Sequence, residues 1–524
     1  MAGRGPVFLG ILALAATVRA EDPPKRDLER ENEALKKRVA ELEAKLADPA
    51  PVASATPAAG TVKDEVFPVR FWHTLVEDLS SPAYSPPGPN APPPQRRRAE
   101  PAPFDSPPYP VAEWQINGTV TIGDANLGTP YPSVIMDTLY NGPDGDWWRE
   151  HRFAIYGWFD WGANVSSSRN LNLPTGYIIR SNTVEIDQVA LYLERRPDEN
   201  QTDHFDWGFR VTGIYGLDYR FMISKGIWDE QLHLYDQAGS PQQPPGEIWG
   251  YDIPMCYADF YLPWIFQGVN IRLGRFISVP DIEAQLAADN FMYTHSLMYT
   301  YDIYTQCGAI ATVKLDDSWA VQVGCVSGND VAPWEHRNFT VPNSGPSSPA
   351  RVTNRGVNGT AIAMVQWISP EWALGRDSFY VGVNGINDGH FGYNNIQELP
   401  IGTWTHKFNE YFAMWTEAYY MYERDNPTLG AYTWEAGVVN YFVVRLGSNT
   451  LLTIRNEYFD DHKGARTGFR TPYSEHTVGI THWFNKLMTF RPEFGYWHSY
   501  REKAFDNGTK GDQFLVAADL IIHY

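Results

Sequence analysis

Cysteine is scarce in this sequence, which has three, Cys256, Cys307 and Cys325, among 524 residues. An odd number without short spacings fits neither a disulfide framework nor a zinc site. We interpret the three as small apolar residues. The alternative is a disulfide between Cys307 and Cys325, which lie on the two arms of one predicted hairpin. No other grouping of residues indicates a metal site, and we predict none.

Long apolar runs are also missing from most of the chain. Outside the first 20 residues, no run approaches the roughly 18 apolar residues that a membrane-spanning helix needs, so helical spans are excluded. Residues 1–20 carry Arg4, then a short apolar run, and end on the small-residue pattern Val18-Arg19-Ala20. This order predicts a secretory signal peptide at residues 1–20.

Positive charge is under-represented, because 42 Lys and Arg stand against 62 Asp and Glu and give a net charge of −20. Phosphate binding needs clustered Lys and Arg, so we predict no nucleic-acid partner. Catalytic motifs are missing too: there is no HExxH, no Gly-x-Ser-x-Gly, no CxxC and no phosphate-binding glycine loop. We therefore predict neither an enzyme nor a cofactor.

The region after the signal peptide divides into two segments. In residues 27–47, DLERENEALKKRVAELEAKLA, a leucine recurs every seven residues from Leu28 to Leu42. This repeat predicts a coiled coil that joins copies of the chain; an isolated, marginal helix is the alternative. Residues 48–110 are dense in proline, which predicts an extended linker. Within it, the apolar stretch Val66–Leu79 indicates a short amphipathic docking helix.

Residues 111–524 are dominated by stretches in which apolar and polar side chains alternate, the period of a β-strand. The clearest is the last one, where every second residue from Phe514 to Tyr524 is apolar and the interleaved set includes Gln513 and Asp519. Such a face suits lipid on the outside of a barrel. The membrane-facing residues of this strand are predicted to be Phe514, Val516, Leu520, Ile522 and Tyr524.

About fifteen or more such stretches follow one another without intervening helices, which is too many for one sandwich. Tight turns, such as 316–317 and 485–486, alternate with long loops, such as 327–357 and 387–405. Aromatic residues make up 14 % of the chain, as girdles at two membrane interfaces require. The predicted fold is all-β: a large antiparallel transmembrane β-barrel of about 16 strands over residues 111–524, preceded by the coiled-coil helix and the Pro-rich linker.

Charged pairs occur on the polar faces of two late strands, Arg455 with Glu457 and Arg491 with Glu493. Arg or Lys on the lipid side costs about 2–4 kcal/mol at mid-bilayer, so these residues are predicted to face the lumen. They either line a water-filled pore or brace the wall through ladders of opposite charge.

A second candidate is the long, partly apolar segment that follows Arg275, because a segment this hydrophobic is expected to fold into the pore. It carries Asp281, Glu283 and Asp289. The hypothesis is that Arg210, Arg272 and Arg275 oppose these carboxylates and create a transverse field, since rings of charge set ion preference in pores. The full set of predicted pore-lining residues is Arg210, Arg272, Arg275, Asp281, Glu283, Asp289, Arg455, Glu457, Arg491 and Glu493.

Several stretches resemble the OmpL-like family of β-barrel porins of bacterial outer membranes. They are RNEYFDDHKGARTGF from Arg455 to Phe469, YSEHTVGITHWF, FRPEFGYWHS, FDNGTKGDQFLVAADLIIHY, and the middle stretch that begins LGRFISVPDIEAQLAADNF. The resemblance covers roughly Arg152 to Tyr524. It implies passive diffusion of small hydrophilic solutes through an outer-membrane barrel. The resemblance indicates the fold more specifically than it indicates the solute.

The sequence thus predicts a porin of a Gram-negative-type outer membrane, with lipid, small solutes or ions, and further copies of the chain as partners. Two alternatives remain. One is a non-conducting structural or adhesive outer-membrane barrel that anchors the envelope. The other is a soluble, aromatic-rich, sugar-active enzyme, which would need two carboxylates about 5–10 Å apart in a cleft.

Overall fold

The computed structural model describes residues 65–83, 131–232, 246–278, 281–335, 339–341, 351–354, 359–369, 377–386, 388–390, 394–409, 411–426 and 431–524. The predicted signal peptide, residues 1–20, and coiled coil, residues 27–47, lie outside these residues and stay predictions. So does most of the predicted linker.

Sixteen antiparallel strands form the wall of a closed barrel, because the last strand pairs with the first. This confirms the predicted fold and strand number. The strands are β1 Phe153–Ser166, β2 Val184–Arg195, β3 Asp206–Gly216, β4 Gly250–Leu262, β5 Val269–Ile277, β6 Thr305–Lys314, β7 Trp319–Asn329, β8 Thr360–Ile368, β9 Asp377–Ile386, β10 Pro400–Asn409, β11 Phe412–Asn426, β12 Ala431–Gly447, β13 Thr450–Asp461, β14 Thr471–Trp483, β15 Met488–Ser499 and β16 Asp512–His523.

Few other elements accompany the wall. Short strands at Asp388–His390 and Asn394–Glu398 extend the sheet between β9 and β10, and Phe339–Val341 pairs with Arg351–Asn354 apart from it. The helices are α1 Phe67–Ser80, α2 Val134–Tyr140, α3 Gly145–His151 and α4 Leu297–Thr300, with 3₁₀ turns at Leu217–Phe221, Asp229–Leu232 and Ala287–Asp289. In the stretches of chain described here, no helix is both long and apolar enough to cross a membrane.

The connections between strands differ at the two ends of the barrel. At one end, here called the short-turn end, strands join through short turns such as 315–318, 448–449 and 484–487. At the other, the long-loop end, they join through segments such as 217–249 and 278–304. Strand β1 begins and strand β16 ends at the short-turn end. Alternation of turn length is the arrangement of outer-membrane barrels, whose short turns face the periplasm.

The two faces of the wall carry the side chains that the period-two pattern predicts. On β16, Gln513, Asp519 and His523 are buried in the interior, whereas Phe514 and Val516 are 49 % and 56 % exposed on the outside. Leu520, Ile522 and Tyr524 share that outer face because side chains alternate along a strand. The five residues predicted to face the membrane thus share one outer face of the barrel, and their contact with lipid stays a prediction.

Aromatic rings form a belt on the outside of the wall toward the short-turn end. Trp319 on β7, Trp367 on β8, Phe379 on β9 and Trp404 on β10 contact one another in that order, and the Phe379 and Trp404 rings are parallel with centroids 5.8 Å apart. Amphipathic rings at this level match the interfacial girdles of outer-membrane barrels.

Helix α1 lies where the sequence indicates a short docking helix, and α1 and α2 pack together at the short-turn end. Pro68 near its start suits the first helical turn, where an N–H has no partner in any case. The Arg70 Nε donates to the Thr138 carbonyl of α2 at 2.9 Å. The Ser133 hydroxyl, just before α2, donates to the Tyr524 carbonyl at 2.9 Å. The chain preceding the barrel is thus tied to the end of the last strand.

The three cysteines are all free thiols. Cys307 is buried while Cys256 and Cys325 are exposed, and Cys325 pairs in register with Ala309 rather than with Cys307. The alternative of a bridge between Cys307 and Cys325 is therefore not realised.

Candidate functional site

The segment that joins β5 to β6, residues 278–304, is here called the inward segment. Its described residues, 278 and 281–304, fold into the barrel interior. Its side chains Ile282, Leu286 and Met298 are buried in the same apolar cluster as residues of the far wall. The ring of Phe291 packs on that of Trp415 of β11, with centroids 4.9 Å apart. Apolar composition drives this placement, because burial of a Leu or Phe side chain is worth about 1.5–3 kcal/mol.

Three glutamates of the wall hold the inward segment by accepting hydrogen bonds from its backbone. They are Glu417 on β11, Glu457 on β13 and Glu493 on β15. The donors are the N–H groups of Ile282 at 2.7 Å for Glu417, Leu297 at 2.9 Å and Met298 at 2.6 Å for Glu457, and Tyr293 and Thr294 at 3.1 Å each for Glu493. A buried N–H group without an acceptor costs about 1–3 kcal/mol, so each glutamate that accepts from the backbone is an anchor of the segment.

Arg455 on β13 joins the wall to the inward segment through one fully buried guanidinium. Its Nε donates to Glu475 of β14 at 2.7 Å, and its Nη1 donates to Glu283 of the segment at 2.9 Å. The same group donates to the carbonyl and, at 2.9 Å, to the hydroxyl of Thr294. The planar fork of arginine suits this use, since it offers five donors in fixed directions.

Arg491 on β15 joins the wall to the segment in the same way at a neighbouring pair of strands. It pairs with Asp519 of β16, which lies directly opposite in register. Its Nη1 also donates to the carbonyls of Ala287 and Asn290 in the inward segment, at 2.6 and 2.9 Å. Wall and segment therefore share one network of charge-assisted hydrogen bonds.

Arg210, Arg272 and Arg275 have described ion pairs with carboxylates of the wall. Their partners are Glu194 at 2.7 Å, Asp259 at 2.8 Å and Asp252 at 2.8 Å, respectively. These pairs brace neighbouring strands. The predicted opposition between these arginines and the carboxylates of the inward segment is not among their described contacts. All ten predicted pore-lining residues, including Asp281 and Asp289, are buried inside the barrel.

Sequence reasoning missed several residues that hold the segment. Glu417, Glu475 and Asp519 are anchors or partners, and Gln188 of β2 donates to the Gln285 carbonyl at 2.8 Å and accepts from Ala287 N at 2.9 Å. The available signal was their parity, because each is a polar residue on the inward face of an alternating strand. The position of a residue in the alternation tells which face of the strand it is on, but not which residue it contacts.

Burial changes the acid–base behaviour of the inward segment. Desolvation raises the pKa of Asp302 to about 6, although a hydrogen bond from Asp281 works in the opposite direction. Burial also raises the pKa of Glu283, and the adjacent Arg455 guanidinium opposes that shift. The pKa of His295 falls well below its ordinary value because of burial and the positive charge of Arg455. The segment thus holds a carboxyl that titrates just below neutral pH.

No group of three or more His, Cys, Asp or Glu residues that could hold a metal ion occurs within the described ranges. What the interior offers chemically is a set of ion pairs, carboxyl groups and backbone groups around a segment that lies inside the barrel.

A family model described as "Putative beta-barrel porin-2, OmpL-like" matches residues 152–524. The chain belongs to this family. The match begins where β1 begins and ends with the last residue, so it covers the whole barrel. As a family member, this porin is a transmembrane β-barrel of the bacterial outer membrane.

Solved structures similar to this porin are themselves porins and channels. The anion-selective porin from Comamonas acidovorans is 10 % identical with a TM-score of 0.47, and the match covers 71 % of this chain and 99 % of that one. The outer membrane channel DcaP of Acinetobacter baumannii is 10 % identical with a TM-score of 0.43, covering 71 % and 97 %. A mutant porin of Rh. blastica is 9 % identical with a TM-score of 0.38, covering 71 % and 100 %. No curated protein matches the chain.

Proposed function

We propose that this porin allows small hydrophilic solutes or ions to diffuse passively through its lumen, without catalysis. The observation that carries the proposal is the inward segment. Its anchoring by Glu417, Glu457 and Glu493 fixes a constriction inside a barrel whose interior face bears the charges. Sixteen-stranded barrels are wide enough to leave an aqueous channel, and a held segment sets its width.

Planar-bilayer recording of the purified full-length protein tests this function. Stepwise conductance increments are expected on insertion, with currents that scale with salt concentration. Absence of steps, from protein whose heat-modifiable migration on a gel shows a folded barrel, would contradict conduction.

A second candidate is a non-conducting barrel that anchors the envelope. The observation that favours it is the burial of all ten predicted pore-lining charges, because groups that contact passing ions are usually wet. The same recording decides between the two, since silence from folded protein is the result that an anchor predicts.

Within the porin proposal, Glu283 and Asp289 of the inward segment contribute to ion preference through their negative charge. Reversing the charge of both residues should shift the reversal potential in a salt gradient toward anions. An unchanged reversal potential would remove these two residues from the set that selects ions.

We further propose that residues 1–20 direct export and that residues 27–47 join copies of this porin in the periplasm. Deletion of 27–47 should convert oligomers into single barrels on native gels in detergent. Oligomers of unchanged size would place the contact between copies elsewhere.

A further inference from the structure

Helix α1 presents its apolar side to the outside and its polar side to the barrel. Arg70, Thr74 and Asp78 are 5 % exposed each. The stripe that α1 exposes consists of Val69 at 45 %, Trp72 at 63 %, Val76 at 49 % and Leu79 at 41 %. Their spacing of three or four residues places them on one side of the helix. A soluble helix normally buries such a stripe, so this one is available to a partner.

The polar side of α1 is held at the rim of the barrel. The Lys486 ammonium, in the turn between β14 and β15, binds the Asp78 carboxylate at 2.8 Å. The Lys486 N–H also donates to the Ser81 carbonyl at 3.2 Å, directly after the helix. The C-terminal end of α1 is therefore fixed next to one turn of the wall.

That turn carries an outward-facing aromatic residue of the lipid-exposed surface. Phe484 is 56 % exposed and continues the outward series of Val478 and Ile480 along β14. Its ring packs against that of Phe490 of β15, with centroids 6.2 Å apart. Leu79 of the stripe adjoins Asp78, and Asp78 binds the residue two positions after Phe484. The C-terminal end of the stripe is thus held beside the turn that carries Phe484, at the edge of the outward-facing wall.

From this continuity we infer that α1 is an interfacial anchor, which lies on the periplasmic leaflet of the outer membrane with Val69, Trp72, Val76 and Leu79 in the lipid. Helices that lie in the interface have an apolar face of this kind opposite a polar one, with Trp favoured at the headgroup level. The polar flank at His73 and Glu77 then faces the periplasm. The inference rests on the membrane placement of the barrel and not on its conduction.

Lipid quenching of a fluorescent label on α1 tests the anchor. Full-length protein with Cys256, Cys307 and Cys325 replaced by alanine takes a label at Trp72→Cys or Val76→Cys, and Glu77→Cys is the matched control on the polar flank. After reconstitution into phosphatidylcholine vesicles, nitroxide-bearing acyl chains should quench the first two labels at least about twofold more than the third. Two positions of the stripe are labelled, so that the test can still be made if one of the two variants does not fold.

Equal and weak quenching at the stripe and at Glu77 would overturn the anchor. Disulfide-linked dimers through Trp72→Cys, without lipid quenching, would also overturn it and assign the stripe to a second copy of the chain. If the protein shows no conductance in bilayer recordings but does show the quenching difference, the proposed diffusion function is contradicted and the membrane anchor is supported.

Discussion

Arg455 of the wall and Glu283 of the inward segment form an ion pair of 2.9 Å in which neither side chain is open to solvent. The same guanidinium binds Glu475 on the neighbouring strand at 2.6 Å. One positive charge therefore serves two carboxylates, one in the wall and one in the segment. Its removal should act on both.

Arg455→Met should loosen the inward segment and destabilise the barrel. Removing one partner of a buried pair typically costs about 3–5 kcal/mol, because the remaining charge is buried without compensation. Urea unfolding measures the loss of stability. Chymotrypsin measures release of the segment, which contains Phe291 and several Tyr but no Lys or Arg for trypsin.

Arg210→Met is the matched control for this variant. Arg210 pairs with Glu194 of the wall at 2.7 Å, and the described inward segment is not among its ion-pair partners. The control should lose stability without new chymotrypsin cleavage within 278–304. Equal cleavage in both variants would show that Arg455 has no special role in holding the segment.

Gly162→Ala should displace the inward segment sterically. A Cβ added at Gly162 would lie 1.8 Å from the Tyr293 hydroxyl and 2.0 Å from Asp187 Oδ2, which hydrogen-bond each other at 2.8 Å. Overpacking of this kind costs about 1–3 kcal/mol. Gly213→Ala is the control, because nothing lies within 4 Å of its added Cβ. The prediction fails if the two variants unfold at the same urea concentration.

Asp302→Asn should stabilise the protein at high pH and have no effect at low pH. The ordinary pKa of 3.8 rises to about 6 in the folded chain, so folding favours the protonated carboxyl. Its stabilising contribution is complete below about pH 4 and is lost as the pH rises through 6. The neutral amide does not suffer this loss, so the variant should gain up to about 3 kcal/mol at pH 8.

The measurement is urea unfolding of parent and variant at pH 4 and pH 8. Asp203→Asn serves as control, since Asp203 is exposed at the short-turn end and the hydrogen bond with His204 lowers its pKa instead of raising it. A gain of the same size at both pH values would show that the effect of Asp302→Asn is not electrostatic.

Lys486→Met should release α1 from the barrel rim. Lys486 contacts both Asp78 of α1 and Asp137 of α2, so its loss unties two helices. With its side chain 30 % exposed, the cost is on the order of 1 kcal/mol. Amide hydrogen exchange should speed up in residues 67–80 while the wall is unchanged. Lys510→Met, which breaks a comparable pair with Asp506 at the long-loop end, should leave exchange in α1 as it was.

The faces of the strands could be read from the sequence, but their contacts could not. Period two placed Arg455 and Arg491 inside, because a charge facing lipid is costly. Which carboxylate each meets depends on strand register and on the path of the inward segment. Arg491 meets Asp519 because these two positions oppose each other in the ladder. The alternation of side chains within one strand does not tell how that strand is aligned in register with its neighbour.

The position of α1 was also readable, but its orientation was not. The apolar stretch Val66–Leu79 predicted a docking helix, and the helix docks through its polar side. The reason is that the rim of the barrel offers polar partners to this side of the helix. The Thr138 carbonyl accepts a hydrogen bond from Arg70, and the Lys486 ammonium pairs with Asp78. Such partners come from distant regions of the chain and leave no local trace in the helix sequence.

The three wall glutamates that anchor the inward segment, Glu417, Glu457 and Glu493, all follow it by a long stretch of chain. The Ile282 N–H binds Glu417, 135 residues later, and the Met298 N–H binds Glu457, 159 residues later. During synthesis the first six strands are therefore made before the three glutamates that anchor this apolar segment. Until those glutamates are made, the exposed apolar segment makes the incomplete chain prone to aggregate. Export of this porin should therefore depend on a chaperone that covers the segment until the second half of the barrel has been made.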